Sequence, residues 1–169
     1  VSDVAVIPEP RSLPDPLPHF TVMAVPYDPI TRMVAMMWRG DRVRSAKNCL
    51  STPAGLLEHG EPFEAGLLRE LREEMAIEPD NCFRVEFQTI YRNDNGDGLD
   101  WVIGVWSVAV RDLQLVARNV EPDKHDYLVF MHLDELCSPN PIVNGRQAVF
   151  ARSLQPVLRT VAKRLIQTL

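Results

Sequence analysis

The stretch STPAGLLEHGEPFEAGLLRELREEMAIEP, residues 51 to 79, constrains this chain more than any other. It has the spacing of an amphipathic helix from about Pro62 to Met75, with Pro62 suited to the first turn and Pro79 following the end. On a helical wheel Leu67, Leu68, Leu71 and Met75 fill one arc, while Glu70, Glu73 and Glu74 crowd the adjacent one. Like charges at helical spacing repel by roughly 0.2–0.5 kcal/mol per pair. One remedy is a divalent cation, since hard cations take oxygen ligands and Mg²⁺ favours a few carboxylates together with substrate phosphates. The other is a solvated acidic face held by Glu–Arg pairs, for which Arg69, one residue before Glu70 and four before Glu73, is well placed. Upstream, Pro53–Ala54–Gly55 suggests a tight backbone turn near the helix start, with a carbonyl able to add an oxygen ligand.

The surrounding chain narrows the setting. A length of 169 residues, 46% hydrophobic and 24% charged, suits one globular domain, residues 18–169, behind a proline-rich arm at residues 1–17. A net charge of −5 argues against broad electrostatic binding to nucleic acid. Cys49, Cys82 and Cys137 are odd in number and far apart, which points away from a disulfide framework or zinc knuckle and towards a reducing, intracellular compartment. The expected location is the cytoplasm, with a mitochondrial one left open because the chain starts at Val1. No apolar run has the length of a membrane span.

HFTVMAVPYD and RMVAMMWRG form a strand pair about a turn at Asp28–Pro29. The loop DRVRSAKNCLSTPAG is polar and turn-rich, and its Arg42, Arg44 and Lys47, with Arg39 just before it, either meet phosphates or remain a solvated charged loop. FRVEFQTIYR and LDWVIGVWSVAV flank NDNGDG, a hairpin signal, and DYLVFMHL is a further strand. Although NDNGDGLDWVIG resembles a calcium loop, its twelfth position is Gly104 rather than a bidentate glutamate. Leu154, Val157, Leu158, Val161 and Leu165 mark a C-terminal helix packed on the core. The order strands, helix, strands, helix indicates a mixed sheet with helices on its faces. His19, His59, His125 and His132 show no metal-ligand spacing and read as structural or exposed, and Trp38, Trp101 and Trp106 as core residues with base stacking as the alternative.

Gly55, Glu61, Arg69, Glu70, Leu71, Glu73, Glu74 and Ile77 stand at the offsets of the box G-x5-E-x7-R-E-U-x-E-E-x-G-U, U being aliphatic, and only the last glycine departs, as Ala76. The sequence therefore resembles the Nudix hydrolase superfamily. That resemblance implies an α/β/α sandwich with a mixed β-sheet, a catalytic helix in the box and a C-terminal helix. It also implies hydrolysis of a diphosphate linkage in a nucleotide with Mg²⁺ or Mn²⁺ as cofactor. It would make Ala54, through its carbonyl, Glu70, Glu73 and Glu74 the metal ligands, with Arg69 orienting them and Glu61 in the outer shell or paired with Arg69. Glu70, or a carboxylate outside the box, would take the proton from water.

Outside the box, NVEPDKHDYLVFMHLDEL resembles the segment after the hairpin in relatives of the dGTP/8-oxo-dGTP type that cleave nucleoside triphosphates. There Glu121 would be an added ligand or general base, as against an ordinary loop glutamate. The expected reaction is (d)NTP to (d)NMP and pyrophosphate. The alternatives are an ADP-ribose or nucleotide-sugar pyrophosphatase, a Nudix-fold scaffold subunit of an RNA-processing or ribosome-related assembly, and action on RNA 5′ ends. The expected partner is a small nucleotide, with no membrane and with a homodimer left open.

Overall fold

The computed structural model describes residues 19–44, 46–93, 100–151 and 153–169. The proline-rich arm and the turn within NDNGDG lie outside the described residues.

Strand β1 (His19–Tyr27) is the hub of a seven-stranded mixed sheet. Its neighbour β2 (Met33–Arg39) is reached through the expected turn, where the buried Asp28 carboxylate accepts the Ile30 N–H at 2.8 Å and the Thr31 N–H at 3.3 Å. This Asx-type closure explains why the chain reverses at Asp28–Pro29. The two strands share only the register Tyr27↔Val34 beside the turn. Along the rest of β1, β4 (Ala54–Leu56) pairs antiparallel with Thr21–Met23, and β6 (Trp101–Val110) pairs parallel along its full length. The short β3 (Cys49–Ser51) adds to β2, the long β5 (Cys82–Asn93) closes the far edge against β6, and β7 (His125–His132) lies on the other side of β2.

Alternation along the strands divides the core in two. Met23, Val25 and Tyr27 face one side with Val34 and Met36, while Val22 and Ala24 face the other with Ala35 and Met37. Helix α1 (Phe63–Met75) covers the second side with Leu67, Leu71 and Met75. The C-terminal helix α4 (Leu154–Thr168) covers the first with Leu154, Leu158, Val161 and Leu165, the stripe expected from its spacing. Two short helices, α2 (Leu113–Val116) and α3 (Leu133–Cys137), and a small β8–β9 hairpin (Ile142–Val143, Arg146–Gln147) complete the fold. The result is the expected α/β/α sandwich. No described helix is long and apolar enough to cross a membrane. All three cysteines are free.

The end of α1 shows what Ala76 does. Ala76 sits at φ 55°, ψ 23°, in the left-handed region. Its N–H donates to the Arg72 carbonyl at 3.0 Å and the Ile77 N–H donates to the Leu71 carbonyl at 3.2 Å, while Leu71 and Ile77 are both buried in the core on the α1 side. The Ala76 bond to Arg72 is that of the left-handed (αL) helix closure, in which glycine is the ordinary residue at the left-handed position. The chain thus keeps the geometry of the box without its glycine. Ala76→Gly is expected to raise stability, because it relieves a left-handed cost of about 1–2 kcal/mol and sacrifices only about 0.5–1 kcal/mol of chain entropy. A lower melting temperature in the variant would contradict this account.

Candidate active site

The carboxylates of α1 divide into two groups. Arg69 holds the first. Its guanidinium donates to Glu61 through Nε at 2.9 Å and Nη2 at 3.0 Å, to Glu70 at 2.5 Å, to Glu73 at 3.2 Å and to the Leu56 carbonyl at 3.0 Å. Such bidentate, charge-assisted bonding fixes the plane of both partners. The Arg69 hydrogen bonds and the Glu58 N–H hold the Glu61 carboxyl down at about 2, so Glu61 is an anion that anchors the box. Glu70 is buried, and its carboxyl is pushed up by that burial against the opposing pull of Arg69. Glu73 stays exposed at the edge of the network.

Gly55 has a different role from the one its sequence suggests. Pro53–Ala54–Gly55 makes no tight turn, because Ala54–Leu56 is the extended strand β4, and Gly55 has no positive φ. What Gly55 supplies is space, since a Cβ there would lie 1.9 Å from Glu70 Oε1. Gly55→Ala is therefore expected to expel the Glu70 carboxylate from its seat and loosen Arg69. Misplacing such an orienting network typically lowers metal affinity or activity about 10–100-fold. Steady-state kinetics at the parent level would contradict the close-approach role.

The second group forms around Glu74. This side chain is 6% exposed, and its Oε2 accepts the Ala54 N–H at 3.1 Å. Burial pushes its carboxyl up to about 8, against the pull of that backbone N–H. Beside it stand Glu121 and His125, with one donor atom from each of the three within 4.8 Å of the others. Glu121 arrives on a tight turn in which the Lys124 and His125 N–H groups both donate to its carbonyl at 2.9 Å. Lys124 Nζ pairs with Glu121 Oε1 at 2.6 Å, while Oε2 is buried without a partner among the described residues.

The structure thus brings Glu121 from outside the box to Glu74, and turns Glu70 and Glu73 towards Arg69. His125 corrects the sequence reading. It is wholly buried against the two carboxylates, and burial with the nearby Arg39 charge depresses its imidazole to about 4, which keeps it neutral at pH 7. No ligand spacing along the chain marked it, because its partner Glu74 is on a different element. The single local signal was its place next to Lys124 in the Glu121 turn.

The loop cations are placed unevenly. Arg42 donates to the Pro122 carbonyl at 2.7 Å and pairs with Asp126 at 3.6 Å, so it braces the Glu121 turn. Arg44 and Lys47 are exposed. Arg39, Ser51, Thr52, Tyr91 and Trp101 line a cavity of about 380 Å³ whose wall includes Glu74. Trp38 stacks on Tyr127 at 6.0 Å and Trp106 lies against Phe63 and Phe87, which leaves Trp101 as the tryptophan of the cavity.

Hard oxygen donors on Glu74 and Glu121, with one buried carboxylate oxygen lacking a partner, fit a divalent cation beside an open cavity. Such a cluster beside the Arg69 network on a sandwich of this topology defines a hydrolase acting on phosphoric anhydrides. The chain belongs to the Nudix family, whose domain model matches residues 17–153. In fold it is similar to a MutT Nudix hydrolase from Burkholderia pseudomallei, with a TM-score of 0.61 at 24% identity over 76% of this chain and 92% of that one. It is also similar to a Nudix hydrolase from Nitrosomonas europaea, with a TM-score of 0.62 at 18% identity over 90% of each chain. A MutT protein from Methanosarcina mazei Go1 gives 0.63 at 15% identity over 93% of this chain and 98% of that one. No curated protein sequence matches the chain.

Proposed function

We propose that this Nudix hydrolase cleaves nucleoside or deoxynucleoside triphosphates to the monophosphate and pyrophosphate, with Mg²⁺ or Mn²⁺ as cofactor. The observation that carries the reading is the placement of Glu121, from the segment resembling triphosphate-cleaving relatives, against Glu74.

When bound, the metal would neutralise phosphate oxygens and acidify a water. Glu74 and Glu121 would hold it, with Glu70, Glu73 and the Ala54 carbonyl as further candidate donors. The chain's own contribution is orientation. Arg69 fixes Glu70, the Ala54 N–H fixes Glu74, and Lys124 fixes Glu121. A water oxygen attacks one phosphorus of the α–β anhydride, the bond from that phosphorus to the bridging oxygen breaks, and the bridging oxygen leaves with the other product, monophosphate or pyrophosphate. The proton released by water passes to Glu121 or Glu70. The cavity beside Glu74, with Tyr91 and Trp101 in its wall, has the flat apolar surfaces that a nucleobase stacks on.

The test is metal-dependent product release across dNTPs, NTPs, ADP-ribose and a 5′-triphosphate RNA. Fastest turnover of one or more triphosphates is expected. A clear preference for ADP-ribose would transfer the assignment to that substrate. No turnover of any of them would favour a scaffold role.

A further inference from the structure

His125 has no task in the reaction above. It is 0% exposed, and neither ring nitrogen has a hydrogen-bond partner among the described residues. Leaving a buried donor or acceptor unsatisfied typically costs about 1–3 kcal/mol. The ring nevertheless points a nitrogen at the two carboxylates, within 4.8 Å of each. Glu121 Oε2 is likewise orphaned, its other oxygen being held by Lys124.

The backbone makes this placement firm. His125 opens β7 in register with Arg39 of β2, and the Asn119 side-chain amide donates to the His125 carbonyl at 2.7 Å. The carbonyl and N–H bonds of the Glu121 turn set Glu121 and His125 side by side.

We propose that Glu74, Glu121 and the His125 imidazole form a divalent-cation site that selects Co²⁺ or Zn²⁺ over Mg²⁺. Two carboxylates balance the charge of a divalent ion, and the third donor is a nitrogen. Mg²⁺ takes oxygen ligands and parts reluctantly with its water, whereas imidazole suits the later divalent ions, which bind such mixed sites more tightly along the Irving–Williams order. Donors bonded at about 2.0–2.2 Å lie at most about 4.4 Å apart across the ion, so a small inward movement closes the set. Ion binding would also satisfy one of the two orphaned imidazole nitrogens and the orphaned carboxylate oxygen together. The cavity adjoins Glu74, so the metal would face it. The inference rests on the hydrolase reading for its setting alone, since the ion is bound or refused without substrate.

Calorimetric titration of Zn²⁺ and of Mg²⁺ into substrate-free protein tests it, in the parent and in His125→Gln. Zn²⁺ should bind the parent more tightly than Mg²⁺, and the ratio of the two affinities should fall at least about tenfold in the variant. An unchanged ratio in a folded variant would overturn the proposal. Because a buried variant can fail to fold, the parent alone supplies a second measurement. Zn²⁺, which is diamagnetic, should shift the His125 ring nitrogen resonances in the NMR spectrum by direct coordination, and Zn²⁺ binding that leaves those resonances unshifted would equally overturn it. Neither readout depends on turnover, so a hydrolase assay that fails leaves the metal result standing on its own.

Discussion

Glu74→Gln is expected to lose metal-dependent turnover by at least about 10²–10⁴-fold, the range associated with losing a positioned ionisable group, while the protein becomes more stable. Glutamine keeps the volume and can still accept the Ala54 N–H, so the fold has no reason to change. What disappears is a buried ionisable carboxyl. The Glu74 carboxyl is raised from its ordinary value of 4.5 to about 8 mainly by burial. The folded state therefore holds this proton more tightly than the unfolded chain does, and the corresponding stability is fully present below pH 4.5 and lost as pH rises to about 8. Metal-free parent protein should lose stability across that window, and the variant should show a flatter profile there. Thermal denaturation at several pH values in the presence of a chelator measures this, beside turnover in Mg²⁺ and in Mn²⁺. Undiminished turnover would remove Glu74 from the metal site, and an unaltered pH profile would remove it as the source of the slope.

Glu121→Gln separates the triphosphate reading from the general chemistry of the family. If this carboxylate holds the metal or accepts the proton of water, kcat should fall about 10²–10⁴-fold. KM should change little, as expected for an interaction expressed in the transition state. The amide keeps the turn, because that turn is built from the Glu121 carbonyl and the backbone N–H groups of Lys124 and His125. Glu86→Gln is the matched control. Glu86 is an exposed residue of β5 paired with Arg84 at 3.7 Å, far from the box in the sheet order, and its loss should leave kinetics at the parent level. A Glu121 variant with parental kcat on dNTPs would reduce the segment to loop architecture and favour ADP-ribose.

The parts legible in the sequence were those whose cause is local. Apolar spacing placed α1 and α4 within a residue or two, and the Asp28 turn came from side-chain chemistry that acts over three residues. The box named Arg69 and its carboxylates, and in the structure Arg69 bonds Glu61, Glu70 and Glu73. The division of labour among the glutamates was not legible, because it depends on which oxygen meets Gly55, Ala54 or Arg69 in space. Strands β3 and β4 are three residues each, too short for a period to show. Their pairing partners lie on distant segments, so Pro53–Ala54–Gly55 suggested a turn where it is a strand. His125 was passed over for the same reason, its meaning being set by Glu74 across the fold.

The parallel ladder between β1 and β6 has a consequence for the order in which the site is assembled. It joins residues 19–27 to residues 101–109, so everything from β2 to β5, the entire box included, is contained in the closed loop. Chain entropy makes so long a closure only modestly dearer than a shorter one, about 0.6 kcal/mol per doubling of length, but it must come before the contacts it permits. A growing chain that has just emerged through Ile77 carries every residue of the box, yet β1 lacks its full-length partner and Glu74 lacks Glu121 and His125. Competence for chemistry is thus a late event in the life of each molecule, reached when the last strands arrive. A transient release of β6 from β1 would withdraw Trp101 and Ile103 from the cavity wall in one step.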